Sequence, residues 1–261
     1  MKCNIVSGLA VSALLIAAPL SIASAADMPV KAPPAPPETP VWNWAGFYAG
    51  LNAGGGEEAG AGANDPHNIV ISTTPPLGGY PAITPGTNAS GALGGVTFGY
   101  NWQRSNVVFG LETDIDASSI RRTLQGQVIN GFGDQLTDEK DLNYVSTIRG
   151  RLGFAFNNVL FYGTGGFAFG HVNNKVVDIL FVPPTGTVTM QRDTTETGYV
   201  VGGGIEYLIA PRWSLKAEYQ YVDLGSHTLS SPEVPPTGFI FSTNNIVDHF
   251  HTVRVGVNYH L

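Results

Sequence analysis

From Trp213 to Tyr221 the chain alternates one for one. Trp213, Leu215, Ala217, Tyr219 and Tyr221 fall on one side; Ser214, Lys216, Glu218 and Gln220 fall on the other. The C-terminus repeats this, with Val253, Val255, Val257, Tyr259 and Leu261 against Arg254, Gly256, Asn258 and His260. A period of two is the mark of a strand with two unlike faces. A slip of one residue would exchange the faces completely, so the register is strongly specified.

The same pattern recurs upstream. Phe47, Ala49 and Leu51 oppose Tyr48, Gly50 and Asn52, and Val96, Phe98, Tyr100 and Trp102 oppose Thr97, Gly99 and Asn101. Val107, Phe109, Leu111, Thr113 and Ile115 oppose Gly110, Glu112, Asp114 and Asp116. Ile148, Leu152, Phe154 and Phe156 oppose Arg149, Arg151, Gly153 and Ala155, and Tyr199, Val201, Ile205 and Tyr207 oppose Gly202, Gly204 and Glu206. A Gly-rich segment, Leu160 to Val172, makes the eighth strand, with Phe161, Phe167 and Phe169 placed outward.

The connections between these eight strands alternate. Short turns lie near Arg104-Ser105, Asn157-Asn158 and Ala210-Pro211; long polar stretches rich in Gly, Pro, Asn and Thr fill the other gaps, the first at about 54–91. Short turns at one end and long loops at the other describe an up-and-down antiparallel barrel of the transmembrane kind. With an even strand count, both termini fall at the short-turn end, which is periplasmic in such barrels. Trp102, Phe109, Phe156, Phe161, Tyr207, Trp213 and Tyr259 all lie near that end and would form an aromatic girdle. The expected fold is therefore all-β, an eight-stranded antiparallel up-and-down transmembrane barrel with long extracellular loops. The alternative is a soluble periplasmic lipocalin-like barrel, in which the apolar faces would turn inward around one small ligand. Glycines at 46, 50, 99, 110, 153, 202, 204 and 256 on the polar faces suit a narrow lumen and favour the membrane form.

The N-terminus is of another kind. Lys2 precedes an apolar run from Gly8 to Ile22, and Ala23-Ser24-Ala25 has the small-x-small form of a cleavage site. Residues 1–25 read as a secretory signal peptide. Cys3, the single cysteine, lies within it, ahead of the apolar run, which argues against lipidation and leaves the mature chain without disulfides. Residues 26–41 form a Pro-rich periplasmic linker, and 42–261 the barrel. Beyond the signal, no apolar run reaches the 18 or so residues of a spanning helix. Charged residues are 13% of the chain, about half the usual soluble share. A formal net charge of −7 argues against a nucleic-acid partner.

These residues resemble a known family. "AADMPVKAPPAPP" after the cleavage site, "WNWAGFYAGLNAGGG" at 42–56, "VVGGGIEYLIAPRWSLKAEYQYVDLG" at 200–225 and "DHFHTVRVGVNYHL" at 248–261 are similar to segments of the small outer-membrane immunogenic proteins of alphaproteobacteria, which have an OmpA-type barrel. The resemblance covers almost the whole chain and implies localisation in the cell outer membrane. It also implies contact with its lipids and lipopolysaccharide, and recognition of the last strand by the barrel-assembly machinery. The family ends in an aromatic residue; this chain ends in Leu261, which puts the strength of that recognition in question.

The alternation sends Glu112, Asp114, Asp116, Arg149, Arg151, Glu206, Lys216, Glu218 and Arg254 inward. Counted from the short turns, Glu112, Arg151, Glu218 and Arg254 share a height, and Glu206 pairs with Lys216 across a hairpin. Charges in a narrow lumen are costly unless paired. Glu112, Arg149, Arg151, Glu206, Lys216, Glu218 and Arg254 are thus expected to form an ion-pair network that plugs the barrel. As a gate it would give weak porin activity; as a purely structural core, which is favoured, it would give none.

No catalytic residues, cofactor or metal are assigned. His249 and His251 share a face near the outer rim, and the family resemblance adds haem as a conceivable ligand there; histidines without a ligand are favoured. Ser226-His227 supplies no Ser-His-acid set by spacing, so a lipid-modifying enzyme ranks last. Gly202-Gly203-Gly204 is not followed by a strand-to-helix switch and reads as strand packing. An envelope role with surface-exposed loops is expected, with no oligomeric state implied.

Overall fold

A computed structural model describes residues 42–59, 68–72, 78–83, 88–128, 135–180, 186–230 and 240–261. The signal peptide and Pro-rich linker expected over 1–41 lie outside the described residues. Ten strands are defined among them: β1 Gly46–Glu58, β2 Asn68–Ser72, β3 Gly78–Ile83, β4 Ser90–Arg104, β5 Val107–Val128, β6 Gln135–Phe156, β7 Val159–Leu180, β8 Gly186–Ala210, β9 Trp213–Ser230 and β10 Ile240–His260.

Eight of these form a closed antiparallel ring in sequence order, β1, β4 through β10, sealed by β1 against β10 from Tyr48↔His260 to Glu58↔Phe250. Closure removes the unpaired strand edges that lipid would not tolerate. Three two-residue turns join the ring at one end, at Ser105-Asn106, Asn157-Asn158 and Pro211-Arg212. Ser105 and Asn157 have φ of 55° and 54°. That is the handedness hairpin turns need to match strand twist, and Asn tolerates it better than most residues.

The faces are assigned by exposure. Leu51, Leu152, Phe161, Phe167 and Val255 point out of the ring and are more than half exposed, while Glu112, Arg149, Glu206 and Lys216 point inward and are buried. A barrel turned inside-out relative to a soluble one has lipid as its solvent. The lipocalin-like alternative, with apolar residues inside, is overturned by this orientation.

The stretches between the alternating segments differ from the sequence reading. Much of their length is paired strand. β1 runs to Glu58 and β4 begins at Ser90, and between them β2 and β3 form a hairpin. β2 pairs with Ile240–Thr243 of β10, and β3 with Gln127 and Val128 of β5. The hairpin therefore extends the wall beyond the ends of β1 and β4.

Outside, the apolar band is bounded at both ends. The short-turn girdle contains Trp102 stacked on Phe109 at 5.4 Å and Trp213 against Tyr259 at 5.0 Å. A second row was not foreseen: Tyr144 against His171, Tyr199 against Tyr221, and Tyr221 against His249 and His251. From Phe161 to His171 on β7 is ten residues. At about 3.3 Å each and a tilt near 40°, that is about 25 Å of height, the thickness of the lipid-facing band. Above the second row the outward residues turn polar, as in Thr187, Thr189, Gln191, Asp193, Thr195 and Thr197 of β8. The barrel is taller than the membrane it crosses.

Candidate functional site

The lumen is filled in layers. At the short-turn mouth, Trp44, Val108, Ala155, Leu160, Tyr162 and Leu208 pack together, with Trp42 against them. The Trp44 amide donates to Gln103 Oε1 at 2.7 Å, which draws the segment ahead of β1 under the mouth.

Above this stopper lies the pair Arg151–Glu206. Arg151 sits between two tyrosine rings, 5.8 Å from the Tyr48 centroid and 3.7 Å from that of Tyr162. Two glycines make the room: a Cβ on Gly99 would run into the Tyr48 ring, and one on Gly204 into that of Tyr162. Glu206 also accepts from Ser214 at 2.5 Å and Asn258 at 2.7 Å, with His260 Nε2 at 3.6 Å.

One level up, Arg149 is the hub. It pairs with Glu112, with Asp114 at 2.7 Å and with Glu218 at 2.7 Å, and it donates to Thr164 at 3.1 Å. Arg254 joins Asp116, Asp114 at 3.4 Å and Glu218 at 2.9 Å. Lys216 reaches Glu112 at 3.3 Å and Glu218 at 3.9 Å. The hydroxyls of Tyr48 and Tyr162 donate to Glu112 at 2.7 Å and Glu218 at 2.8 Å. All four cations and five carboxylates of these two levels are buried.

The structure places Glu112, Arg149, Arg151, Glu206, Lys216, Glu218 and Arg254 together in the lumen, and two partnerships differ from the expected ones. Arg149, not Arg151, occupies the level of Glu112, Glu218 and Arg254; Arg151 lies nearer the mouth. Glu206 and Lys216 are partners in the backbone register, but their side chains turn to Arg151 and to Glu112. Glu206 and Lys216 diverge because each meets its opposite charge on a strand other than its hairpin partner's, whereas Arg149–Glu112 and Arg254–Glu218 join register partners.

An apolar layer follows, built of Leu93, Ile120, Leu142, Val172, Val222 and Phe250 among others. Between it and the ion pairs lies a small cavity of about 10 Å³, lined in part by Asp116, Gln220, Thr252 and Arg254. That is room for one water at most.

A second ionic cluster, missed in the sequence, lies above this layer. Glu58 holds Arg122 at 2.7 Å and Lys140 at 2.5 Å; Arg122 also holds Asp138 at 2.9 Å, and Lys140 holds Asp248 at 2.7 Å. His227 Nδ1 lies 3.2 Å from Asp248, and its Nε2 is 3.1 Å from Asn174. Burial alone would push the Asp248 carboxyl up; its bonds to His227 and Lys140 outweigh that and hold it below the usual carboxylate range.

The other candidates do not assemble. Ser226 is exposed on the outer face, whereas the His227 side chain is buried, so the two are not a catalytic pair. His251 Nδ1 lies 2.6 Å from the Tyr219 hydroxyl, and His249 Nε2 lies 3.2 Å from Asp223. Among the described residues no three His, Cys, Asp or Glu side chains are placed to hold a metal. Asp193, His171 and Thr195 do meet on the outer wall, at 2.8 Å and 3.4 Å. Their strands β7 and β8 are paired without interruption there, so the neighbouring amides serve the ladder and not an oxyanion.

A closed ring with an apolar belt outside and an ion-paired, tightly filled interior defines a transmembrane β-barrel. Comparisons agree. The family model "Outer membrane protein beta-barrel domain" matches residues 12–260. The 31 kDa outer-membrane immunogenic protein of Brucella melitensis is 36% identical over 91% of this chain and 92% of its own length. The 22 kDa outer membrane protein of Rhizobium leguminosarum is 31% identical over 73% of this chain and 69% of its own. Among solved structures, the outer membrane protein OprG of Pseudomonas aeruginosa superposes with a TM-score of 0.51 at 13% identity, over 85% of this chain and all of that one. The chain belongs to the outer-membrane β-barrel family, among the alphaproteobacterial outer-membrane immunogenic proteins, and its place is the outer membrane.

Proposed function

We propose that the protein is a closed structural barrel that supports the envelope and displays its long-loop end to the surroundings. In this reading residues 1–25 are removed as a signal peptide and residues 26–41 form a periplasmic spacer. Both mature termini then face the periplasm, and the chain catalyses nothing. Its belt contacts membrane lipids; lipopolysaccharide surrounds its outer half, and the assembly machinery reads the strand ending at Leu261.

The observation that carries the closed reading is the Arg149 hub. Its three carboxylate partners come from β5 and β9, so its guanidinium spans the lumen from wall to wall. A small solute would have to separate these charges, each of which loses several kcal/mol of compensation when its partner is removed. Planar-bilayer recording of the refolded full chain tests this. No steady conductance above the bare bilayer is expected; a stable large-conductance state would refute the plugged barrel and support a porin.

A further inference from the structure

From the Tyr144–His171 row upward, β6, β7 and β8 present one paired outward face, with a bulge at Asn143 between its first two rows. Its rows are Tyr144–His171–Thr195, then Asp141–Asn173–Asp193, then Glu139–Lys175–Gln191. The Tyr144 and His171 rings are parallel within 4°, centroids 5.7 Å apart. Several groups are held in place. His171 Nε2 is 2.8 Å from Asp193, Glu139 is 3.5 Å from Lys175, and the Tyr144 hydroxyl is 3.2 Å from that of Thr195.

We infer that this face binds neutral sugar units of the lipopolysaccharide core in the same leaflet. The inference rests on the reading that the long-loop end points outward. Three features select the occupant. The face continues directly from the lipid belt, so what meets it is the layer next above the acyl chains and headgroups. Its aromatic row offers apolar ring surface to the C–H faces of a sugar, while planar amides and carboxylates can each engage two neighbouring hydroxyls. The rows carry three carboxylates and one ammonium, Glu139, Asp141 and Asp193 against Lys175, which disfavours phosphate and favours uncharged hexose hydroxyls. Groups already fixed by one another lose little freedom on binding.

The full chain, refolded in detergent with threonine methyl and histidine labels, is titrated by NMR in EDTA with core oligosaccharide released by mild acid from a rough-type lipopolysaccharide. Shifts are expected at His171 and Thr195, and more weakly at Thr137 and Thr189, which flank Val177 in the next row up, and not at Thr113, which faces lipid. Tyr144→Ala is expected to weaken binding about tenfold and Tyr144→Phe to leave it nearly unchanged. Absence of shifts at millimolar sugar, equal binding by the alanine variant, or binding seen only when divalent cations are restored would each overturn the proposal. So would equal competition by lipid A that lacks a core. The underlying orientation is read separately. The mature chain carries no cysteine, so Thr189→Cys should react with a membrane-impermeant maleimide on intact cells. Labelling only after permeabilisation would sink the orientation, and the sugar site with it; labelling without sugar shifts would sink the sugar site alone.

Discussion

At the scale of single residues, stability is concentrated where charge is buried. Arg149→Met keeps the unbranched stem of the side chain and removes the guanidinium with its charge, leaving Glu112, Asp114 and Glu218 short of a partner. A buried pair broken on one side costs about 3–5 kcal/mol. Urea unfolding in detergent micelles, followed by tryptophan fluorescence, should show a loss of that size. Trp44→Ala tests the stopper in a different way, because it removes packing and no charge. It should cost about 3–5 kcal/mol through the cavity left behind, and a loss below 1 kcal/mol would mean that the segment ahead of β1 is not seated in the mouth.

At the scale of strands, what the sequence shows and what it hides has a definite cause. The belt strands are legible because their outward residues are apolar and their inward ones polar, as in Trp213 to Tyr221. Above the second aromatic row that contrast disappears, since Thr187 to Thr197 of β8 are polar on the outside. On two strands the phase also slips. Leu142 and Lys140 face inward above Asn143, but Thr147 and Arg149 face inward below it, because a bulge at Asn143 inserts one residue between Leu142 and Tyr144. On β9 inward positions change parity at Gly225, which has φ of +89°. A reading by period of two ends a strand at such a slip. Hence these stretches read as loops, and the cluster of Glu58, Arg122, Lys140 and Asp248 stayed hidden inside them. The lower network was legible by parity alone; its pairings were not, because they depend on which strands face each other across a closed ring. The β2–β3 hairpin adds few pairs to its neighbours. Replacing residues 64–86 with a short Gly-Ser link should leave the heat-shifted gel mobility of the folded barrel intact.

At the scale of the whole molecule, the two aromatic rows define a height in the bilayer. Ile148→Arg, within the belt, should cost about 2–4 kcal/mol in a lipid-reconstituted barrel, whereas Thr189→Arg, above it, should cost close to none. Equal costs would mean that the band is misplaced. The extension above the belt has its own response to acid. The folded-state pKa of Asp248 lies below its unfolded value, so its contribution is present above the unfolded pKa and is lost as pH falls through the folded one. Amide hydrogen exchange in the upper halves of β6, β9 and β10 should therefore accelerate below about pH 4, the ordinary aspartate range, before the belt strands respond.

The ion pairs also bear on how the barrel comes together. Arg254 and Asp114 are separated by 140 residues in the chain, and they meet only when the first and last strands have found each other. Contacts so remote in sequence form late and make folding slow. Until the ring closes, several of these charges line an open, wet trough, and the half-built sheet cannot settle into lipid at low cost. The last strand to arrive brings the cation that completes the circuit, so the chain's own electrostatics distinguish a finished barrel from an unfinished one.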